Sequence, residues 1–534
     1  MKEFLNVFKR FVYILVPVFL FELLFGEVSS IKIYNFIENL LFALFVIFFI
    51  SFFKRRSTSS LLLKLCYTSF CVIILVESLY FYLFGSYFST STIFVIIETN
   101  FSETEEFVAS KLDFKIIIYV SLIFLIALFQ LRKLFINKPN GLFNSRFIPF
   151  ALLVSILIFL KLTTLLKFNL VYLFVKVPIQ YKNEMKKFEN YGKENPLGKF
   201  EDVKYLGNNQ GKQLYVIVVG ESTNRKHFSL YNNYHRNTTP LLSEIKDELH
   251  LFTDVISPHT YTIGSLSKAL TLGNYENPEG KYQGTIIQLF NQANFKTYWV
   301  SSQRPIGMMD THVMKIGTSA QNFMFLNTKH TSRRTPYDIN LVDKLKDIVK
   351  EDGDKKVVFL HMLGTHMNYK RRYPNEFEVF TDTPRTKFKR AKAYEAINAY
   401  DNAVRYNDYV LREIIETVRN SRLNGYVLYF SDHGQEVFDK MDFQGHTIDE
   451  ETTTNMYEIP MFLWKTNYDD STYFDGFQLN RKYMIDDLIH SIADISKIKS
   501  KQIDTTRSIF NEAFKERERI VKDTINFDTY FFRE

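Results

Sequence analysis

Leu-Tyr-Val-Ile-Val-Val-Gly at 214–220 runs straight into Glu221, and Gly-Tyr-Val-Leu-Tyr-Phe-Ser at 425–431 runs straight into Asp432, His433 and Gly434. Both runs are short, rich in β-branched and aromatic side chains and bounded by glycine, the pattern of strands buried on both faces of a parallel sheet. Comparable runs lie at 296–301, 356–361 and 459–464, with a further strand expected at 251–256. Helical stretches fit between them. Thr239 with Pro240 pairs a cap residue with a first-turn proline, and 390–418 carries Ile397, Tyr400, Val404, Leu411 and Ile415 near helical spacing. Alternation of strand and helix predicts an α/β fold with a doubly wound sheet over 208–534.

Sheets of this kind hold their sites beyond the carboxyl ends of the strands. Parallel strands would therefore bring Glu221, Asp432 and His433 to one edge. Two carboxylates and an imidazole suit a divalent cation of the zinc or manganese kind. Eleven histidines occur and none precedes His227. His361 and His366 flank the end of one strand and His446 follows Asp432-His433-Gly434, positions suited to metal or phosphate contact. His227, His235, His250, His259, His312, His330 and His490 lack such support and read as structural. The only cysteines are Cys66 and Cys71, both in an apolar run, so a nucleophile in this domain must be an oxygen. A cation that stabilises the alkoxide makes a hydroxyl competent. Ser-Pro-His-Thr-Tyr-Thr-Ile-Gly-Ser at 257–265 offers Thr260 and Thr262, between which spacing does not choose, while Thr223 reads as the start of the helix after Glu221.

The front of the chain obeys different rules. Apolar runs at 11–25, 37–53, 61–84, 114–131 and 147–166 approach the roughly 20 residues a bilayer-crossing helix needs. Residues 1–166 are expected to form five membrane helices, 167–207 an interfacial helix and linker. Lys2, Lys9 and Arg10, then Lys54, Arg55 and Arg56, then Arg132, Lys133, Lys138 and Arg146 mark the cytoplasmic loops. The loop at 85–113, with Glu98, Glu103, Glu105 and Glu106, falls on the other side, and an odd number of spans carries the α/β domain there too. In a Gram-negative cell this is the periplasm, with the anchor in the inner membrane. The net charge of +8 comes from scattered Lys and Arg with no aromatic-basic stripe, which argues against nucleic acid and for anionic lipid head groups.

The apolar anchor, Val-Val-Gly-Glu-Ser-Thr-Asn-Arg at 218–225, His-Thr-Tyr-Thr at 259–262, Tyr-Asp-Asn at 400–402 and Ser-Asp-His-Gly at 431–434 together resemble the bacterial phosphoethanolamine transferases, of the alkaline phosphatase and sulfatase superfamily. The likeness covers nearly the whole chain. It implies an N-terminal five-helix transmembrane domain and a C-terminal sulfatase-like α/β/α domain, with Glu221, Asp432 and His433 as zinc ligands. It implies Thr262 as the nucleophile, itself touching the metal, and His366 and His446 as groups meeting the phosphoryl group or a second zinc. In the acidic loop, Thr99 and Glu103 match positions that hold the donor head group, although Val95 stands where the family has asparagine. The implied reaction takes phosphoethanolamine from phosphatidylethanolamine, through an ester on Thr262, to lipopolysaccharide. Ser257-Pro258-His259 replaces the Cys-Gly-Thr form of lipid A-modifying members and is more similar to the branch acting on core heptose. A phosphoglycerol transferase or sulfatase-like phosphodiesterase would reuse the same fold, and a non-catalytic membrane scaffold would dispense with the ligand set.

Overall fold

The computed structural model describes residues 2–24, 30–53, 56–84, 87–90, 92–93, 96, 114–136, 147–194, 196–207, 212–231, 234–303, 312–327, 336–447, 452–466 and 478–532. They fall into two compact units, divided near residue 182.

The first unit is helical. Helices α1 (Lys2–Leu24), α2 (Ser30–Ile50), α3 (Arg56–Phe84), α4 (Phe114–Ile136) and α5 (Phe147–Leu162) are followed by α6 (Leu170–Glu194). Phe11, Ile14, Ile47, Leu63, Phe70 and Ile123 form its main core, and Cys71 is buried among them as a free thiol. Among the described residues, Ser30–Ile50, Ser57–Leu83 and Phe114–Leu134 are long and apolar enough to cross a membrane. Helix α5 is equally apolar but shorter, and α1 is interrupted by Lys9, Arg10 and Glu22. Phe114, Leu125, Phe147 and Ile158 stand exposed on this unit. Such a surface suits lipid and not water.

The second unit is built on a seven-stranded sheet. Its strands are β1 (Gln213–Gly220), β2 (Leu249–Phe252), β3 (Lys296–Ser301), β4 (Asn322–Phe325), β5 (Lys355–His361), β6 (Asn424–Ser431) and β7 (Met461–Lys465), in the order β2-β7-β6-β1-β5-β3-β4. Strand β1 is central, wholly buried and parallel to both β5 and β6. Its alternate side chains serve two cores. Leu214, Val216 and Val218 meet helices α9 (Ile339–Lys350) and α10 (Ala391–Ser421) in one, through residues such as Leu345, Tyr400 and Ile414. Tyr215, Ile217 and Val219 join the other, with α8 (Ile286–Gln292) and α11 (Leu488–Ile495). Helices on both faces make this an α/β/α sandwich; α7 (Thr262–Ala269) contributes Leu266 and Ala269 to the second core.

Three local expectations need correction. The run at 459–464 forms β7, which is antiparallel to both neighbours and not part of the parallel set. Strand β4 is absent from the strands expected above: Phe323-Met324-Phe325-Leu326 is a short apolar run, and it lies on the exposed edge of the sheet and not in its buried centre. The Thr239-Pro240 helix is a single turn, Pro240–Ser243, and Thr239 makes no capping bond. Its free amides at Leu241 and Leu242 donate instead to the Asp408 carboxylate of α10, each at 2.9 Å. The cap is tertiary, so no local pattern encodes it.

Candidate active site and metal centre

Register delivers the site. In the β1–β6 pairing Gly220 is opposite Ser431, so the next residues, Glu221 and Asp432, leave the sheet side by side. The chain then turns sharply at Ser222, which adopts φ +58°, an unfavourable value for a residue with a side chain. Tyr400 secures that turn. Its hydroxyl donates to the Ser222 carbonyl at 2.9 Å and accepts from the Asn224 amide at 2.8 Å, while the Thr365 hydroxyl donates to the same carbonyl at 2.8 Å. Gly364 packs against the Glu221 backbone with φ +53°, where an added Cβ would come within 2.7 Å of the Glu221 carbonyl oxygen. The loop carrying it is held by Asp338, whose carboxylate accepts from the Leu363 and Gly364 amides at 2.9 and 2.8 Å.

Glu221, Asp432 and His433 are fully buried, and each offers a ligand atom within 4.8 Å of the others. His433 Nε2 lies 3.4 Å from Glu221 Oε1 and 3.5 Å from Asp432 Oδ2. Ligands about 2.0–2.1 Å from a tetrahedral zinc stand roughly 3.3 Å apart, so these spacings fit one ion. Asp432 Oδ1 is engaged by the Ser222 and His433 amides at 2.9 and 2.7 Å, which leaves Oδ2 buried without a hydrogen-bond partner. His433 Nδ1 is held by the Gly434 carbonyl at 2.8 Å, and its Nε2 is likewise a buried atom with no hydrogen bond. Fixing Nδ1 in this way presents the Nε2 lone pair to a metal. Electrostatics agree. Burial and the Glu221 charge push the Asp432 carboxyl up to about 7. Burial opposes the His433 charge, yet Asp432 and Glu221 push its imidazole up to about 9. Two carboxylates this close and this dry call for a cation.

Thr262 opens α7, and its hydroxyl donates to Glu221 Oε2 at 3.1 Å. Thr260 is spent elsewhere, its buried hydroxyl donating to the Thr447 carbonyl at 2.6 Å, which ties down the segment bearing His446. Thr223 donates to the Glu221 carbonyl at 3.3 Å and is structural. The His446 ring stands 4.5 Å from that of His433, centroid to centroid, and His366 is near enough that its charge acts on Glu221. His361 belongs to the sheet: burial pushes it down to about 4, and its Nδ1 pairs with the Ser301 hydroxyl at 3.1 Å. Thr99, Glu103 and Val95 lie outside the described residues. Sequence reasoning missed Gln303, whose Nε2 donates to Glu221 Oε2 at 2.9 Å and to the Met362 carbonyl at 3.2 Å. It follows a strand end as Glu221 does, but an amide is not a usual zinc ligand and gave no metal signal.

One histidine read as structural is held between two carboxylates. His227 Nδ1 lies 2.7 Å from Asp401 and Nε2 3.1 Å from Asp439, fully buried. Burial opposes its charge, but Asp439 and Asp401 prevail and push it up to about 10. A folded value above the unfolded one of about 6.5 gives stability that is fully present below pH 6.5 and lost as pH rises through 10. His227→Leu should therefore destabilise this unit by about 3 kcal/mol at neutral pH. Thermal melting should show the gap to wild type closing toward pH 10; a constant gap would mean that packing alone is responsible.

At the carboxyl ends of adjacent central strands the sheet carries side chains that could hold a metal, and residues 213–498 match the Sulfatase family model, which makes the domain sulfatase-like. The chain is 31% identical over 473 residues to Phosphoethanolamine transferase EptC of Escherichia coli O18:K1:H7, covering 82% of this chain and 80% of that one. It is 30% identical over 475 residues to Phosphoethanolamine transferase CptA of Salmonella typhimurium, with the same coverage. The crystal structure of the C-terminal periplasmic domain of Escherichia coli EptC in complex with Zn is 32% identical, covers 62% of this chain and 96% of its own, and superposes with a TM-score of 0.59. The integral membrane lipooligosaccharide phosphoethanolamine transferase A of Neisseria meningitidis, at 20% identity, shares the fold over 95% of this chain and 97% of its own, with a TM-score of 0.65. The protein belongs to the phosphoethanolamine transferases, and its second unit to the Sulfatase family.

Proposed function

We propose that the enzyme transfers phosphoethanolamine from phosphatidylethanolamine to lipopolysaccharide, at core heptose or lipid A, with Thr262 as the nucleophile. The observation that carries this reading is the Thr262 hydroxyl bonded to Glu221 within the buried Glu221, Asp432 and His433 cluster. Zinc fits that donor set, a reading supported by the Escherichia coli relative's periplasmic domain being a complex with Zn, and when bound it would supply positive charge that favours the ionised threonine and the developing phosphoryl charge. Thr262 Oγ forms a bond to phosphorus as the bond to the diacylglycerol oxygen breaks, leaving a phosphoethanolamine ester on Thr262. The proton that Thr262 loses departs by way of Glu221 Oε2, to which the hydroxyl donates, and the departing diacylglycerol oxygen takes up one proton in exchange. His366 and His446 face the transferring oxygens and stabilise their charge, the main demand in phosphoryl transfer. An acceptor oxygen then displaces Thr262. Thr99 and Glu103 hold the donor head group.

In the same reading, residues 1–166 anchor the chain in the bacterial inner membrane with five passes, 167–207 link, and 208–534 work in the periplasm. Both substrates are lipids, so anchoring confines the search to a surface. Incubating purified protein with labelled phosphatidylethanolamine or phosphatidylglycerol and measuring diacylglycerol tests the donor. Release from phosphatidylethanolamine alone is expected, and release from phosphatidylglycerol alone would make the enzyme a phosphoglycerol transferase. Mass analysis of lipopolysaccharide fragments from cells with and without the protein assigns the acceptor.

A further inference from the structure

The helical unit contains polar groups that the reaction above does not use. Glu22, Lys32, Asn35, Glu38, Asn39 and Glu77 are each at most 3% exposed. They are connected. Asn35, Glu38 and Asn39 share one face of α2 by their helical spacing. Asn39 donates to Glu77 Oε2 at 2.9 Å, Asn169 donates to Glu38 Oε1 at 2.7 Å, and the Tyr87 hydroxyl donates to Glu22 Oε2 at 2.6 Å. The charges of both Glu38 and Glu22 act on Glu77. Lys32 donates to the Glu22 carbonyl at 3.0 Å and leaves the cluster with three carboxylates to one cation.

Among the described residues, four atoms of this cluster are buried and have no hydrogen-bond partner: Asn35 Oδ1, Glu38 Oε2, Asn39 Oδ1 and Glu77 Oε1. All four are acceptors. What the cluster lacks is donors carrying positive charge. Protonating Glu38 and Glu77 would turn two of these oxygens into O–H donors for the amide oxygens, the ligand-free alternative that the variants below separate from a bound cation. Calcium takes six to eight oxygens and magnesium a near-octahedral shell, more than are present. A primary ammonium brings three N–H donors and one charge, which matches the acceptor set. Glu38 and Glu77 lie about 10–12 Å from the ends of α2 and α3 that are opposite the basic loops. In the orientation proposed above, this is the outer-leaflet side, within reach of a lipid head group.

We propose that the cluster of Asn35, Glu38, Asn39 and Glu77 inside the helical unit is a binding site for a primary ammonium, supplied by an aminoethyl phospholipid head group. The choice of lipid rests on the donor reading; the ammonium rests on the acceptor set. No member of the cluster belongs to the residues assigned above to donor or phosphoryl contact.

The full-length protein in detergent, with Thr262→Ala present so that donor is not consumed, is suited to native mass spectrometry against defined lipids. Phosphatidylethanolamine should be retained about tenfold or more over phosphatidylcholine, whose quaternary ammonium has no N–H, and over phosphatidylglycerol. The double variant Glu38→Gln, Glu77→Gln keeps shape and removes charge, and should lose about tenfold or more of that retention. Asn35→Leu removes one acceptor without changing charge and decides the matter if the double variant does not fold; it should weaken retention several-fold. Equal retention of the three lipids, indifference to these substitutions, or displacement of the lipid by sodium or calcium would overturn the site. Free ethanolamine retained as strongly as the lipid would keep the ammonium site and make a soluble amine its source. The donor reading fails separately: with Thr262 intact, a chain that releases diacylglycerol from phosphatidylethanolamine while its binding ignores Glu38 and Glu77 sinks only this site.

Discussion

Thr262→Ala should abolish the phosphoethanolamine adduct on the protein and lower transfer by about 10⁴-fold or more, the scale of losing a covalent nucleophile. Thr262 Oγ is the hydroxyl bonded to the buried Glu221 carboxylate, so its removal takes away the atom that would form the ester and leaves the ligand cluster in place. Thr260, two residues earlier, spends its proton on the Thr447 carbonyl. Its replacement by Ala should preserve the adduct and cost stability of about 1 kcal/mol, the worth of one buried hydrogen bond. Intact-protein mass spectrometry after brief exposure to phosphatidylethanolamine separates the two variants. An adduct in Thr262→Ala that is missing in Thr260→Ala would exchange their roles.

The ease with which the site could be read varies by residue, for physical reasons. Glu221, Asp432 and His433 were legible because two buried strands announce themselves by composition and a parallel pairing brings their ends together. The register of Gly220 opposite Ser431 makes that juxtaposition a matter of geometry. Spacing leaves Thr260 and Thr262 open and only the family resemblance selects Thr262, since what separates it from Thr260 in the structure is a contact 187 residues away in sequence. Gln303 and Asp338 were illegible for the same reason. Both act through contacts that depend on tertiary structure, one on the Glu221 carboxylate and the other on the loop behind it. Direction of pairing was also hidden: β7 has the composition of a parallel strand but runs the other way. In the helical unit, apolar runs gave the helices directly, whereas Glu38 and Glu77, the one acidic residue in each of their runs, acquire meaning only once their burial is seen.

Stripping divalent metal should silence the enzyme, and zinc should restore it to near its starting rate. Glu221 and Asp432 are buried beside one another with His433 between them, and their unmatched atoms are Asp432 Oδ2 and His433 Nε2. Without a cation the two carboxylates compete to ionise, which is why burial and Glu221 push Asp432 up to about 7. A divalent ion reverses that competition and adds the charge that makes Thr262 reactive. Zinc should therefore also raise the melting temperature of the chelated protein, because it binds the folded cluster and not the dispersed side chains. Asp432→Asn keeps the size of the side chain and removes its charge. It should lower metal affinity by about 10-fold or more and abolish the zinc-induced shift in melting, with transfer falling in parallel. Elemental analysis of the active preparation, melting with and without zinc, and transfer assays on the same sample provide the check. Full transfer by a preparation free of zinc and manganese would mean that the cluster stabilises its charges by sharing protons, and Thr262 would need another source of activation.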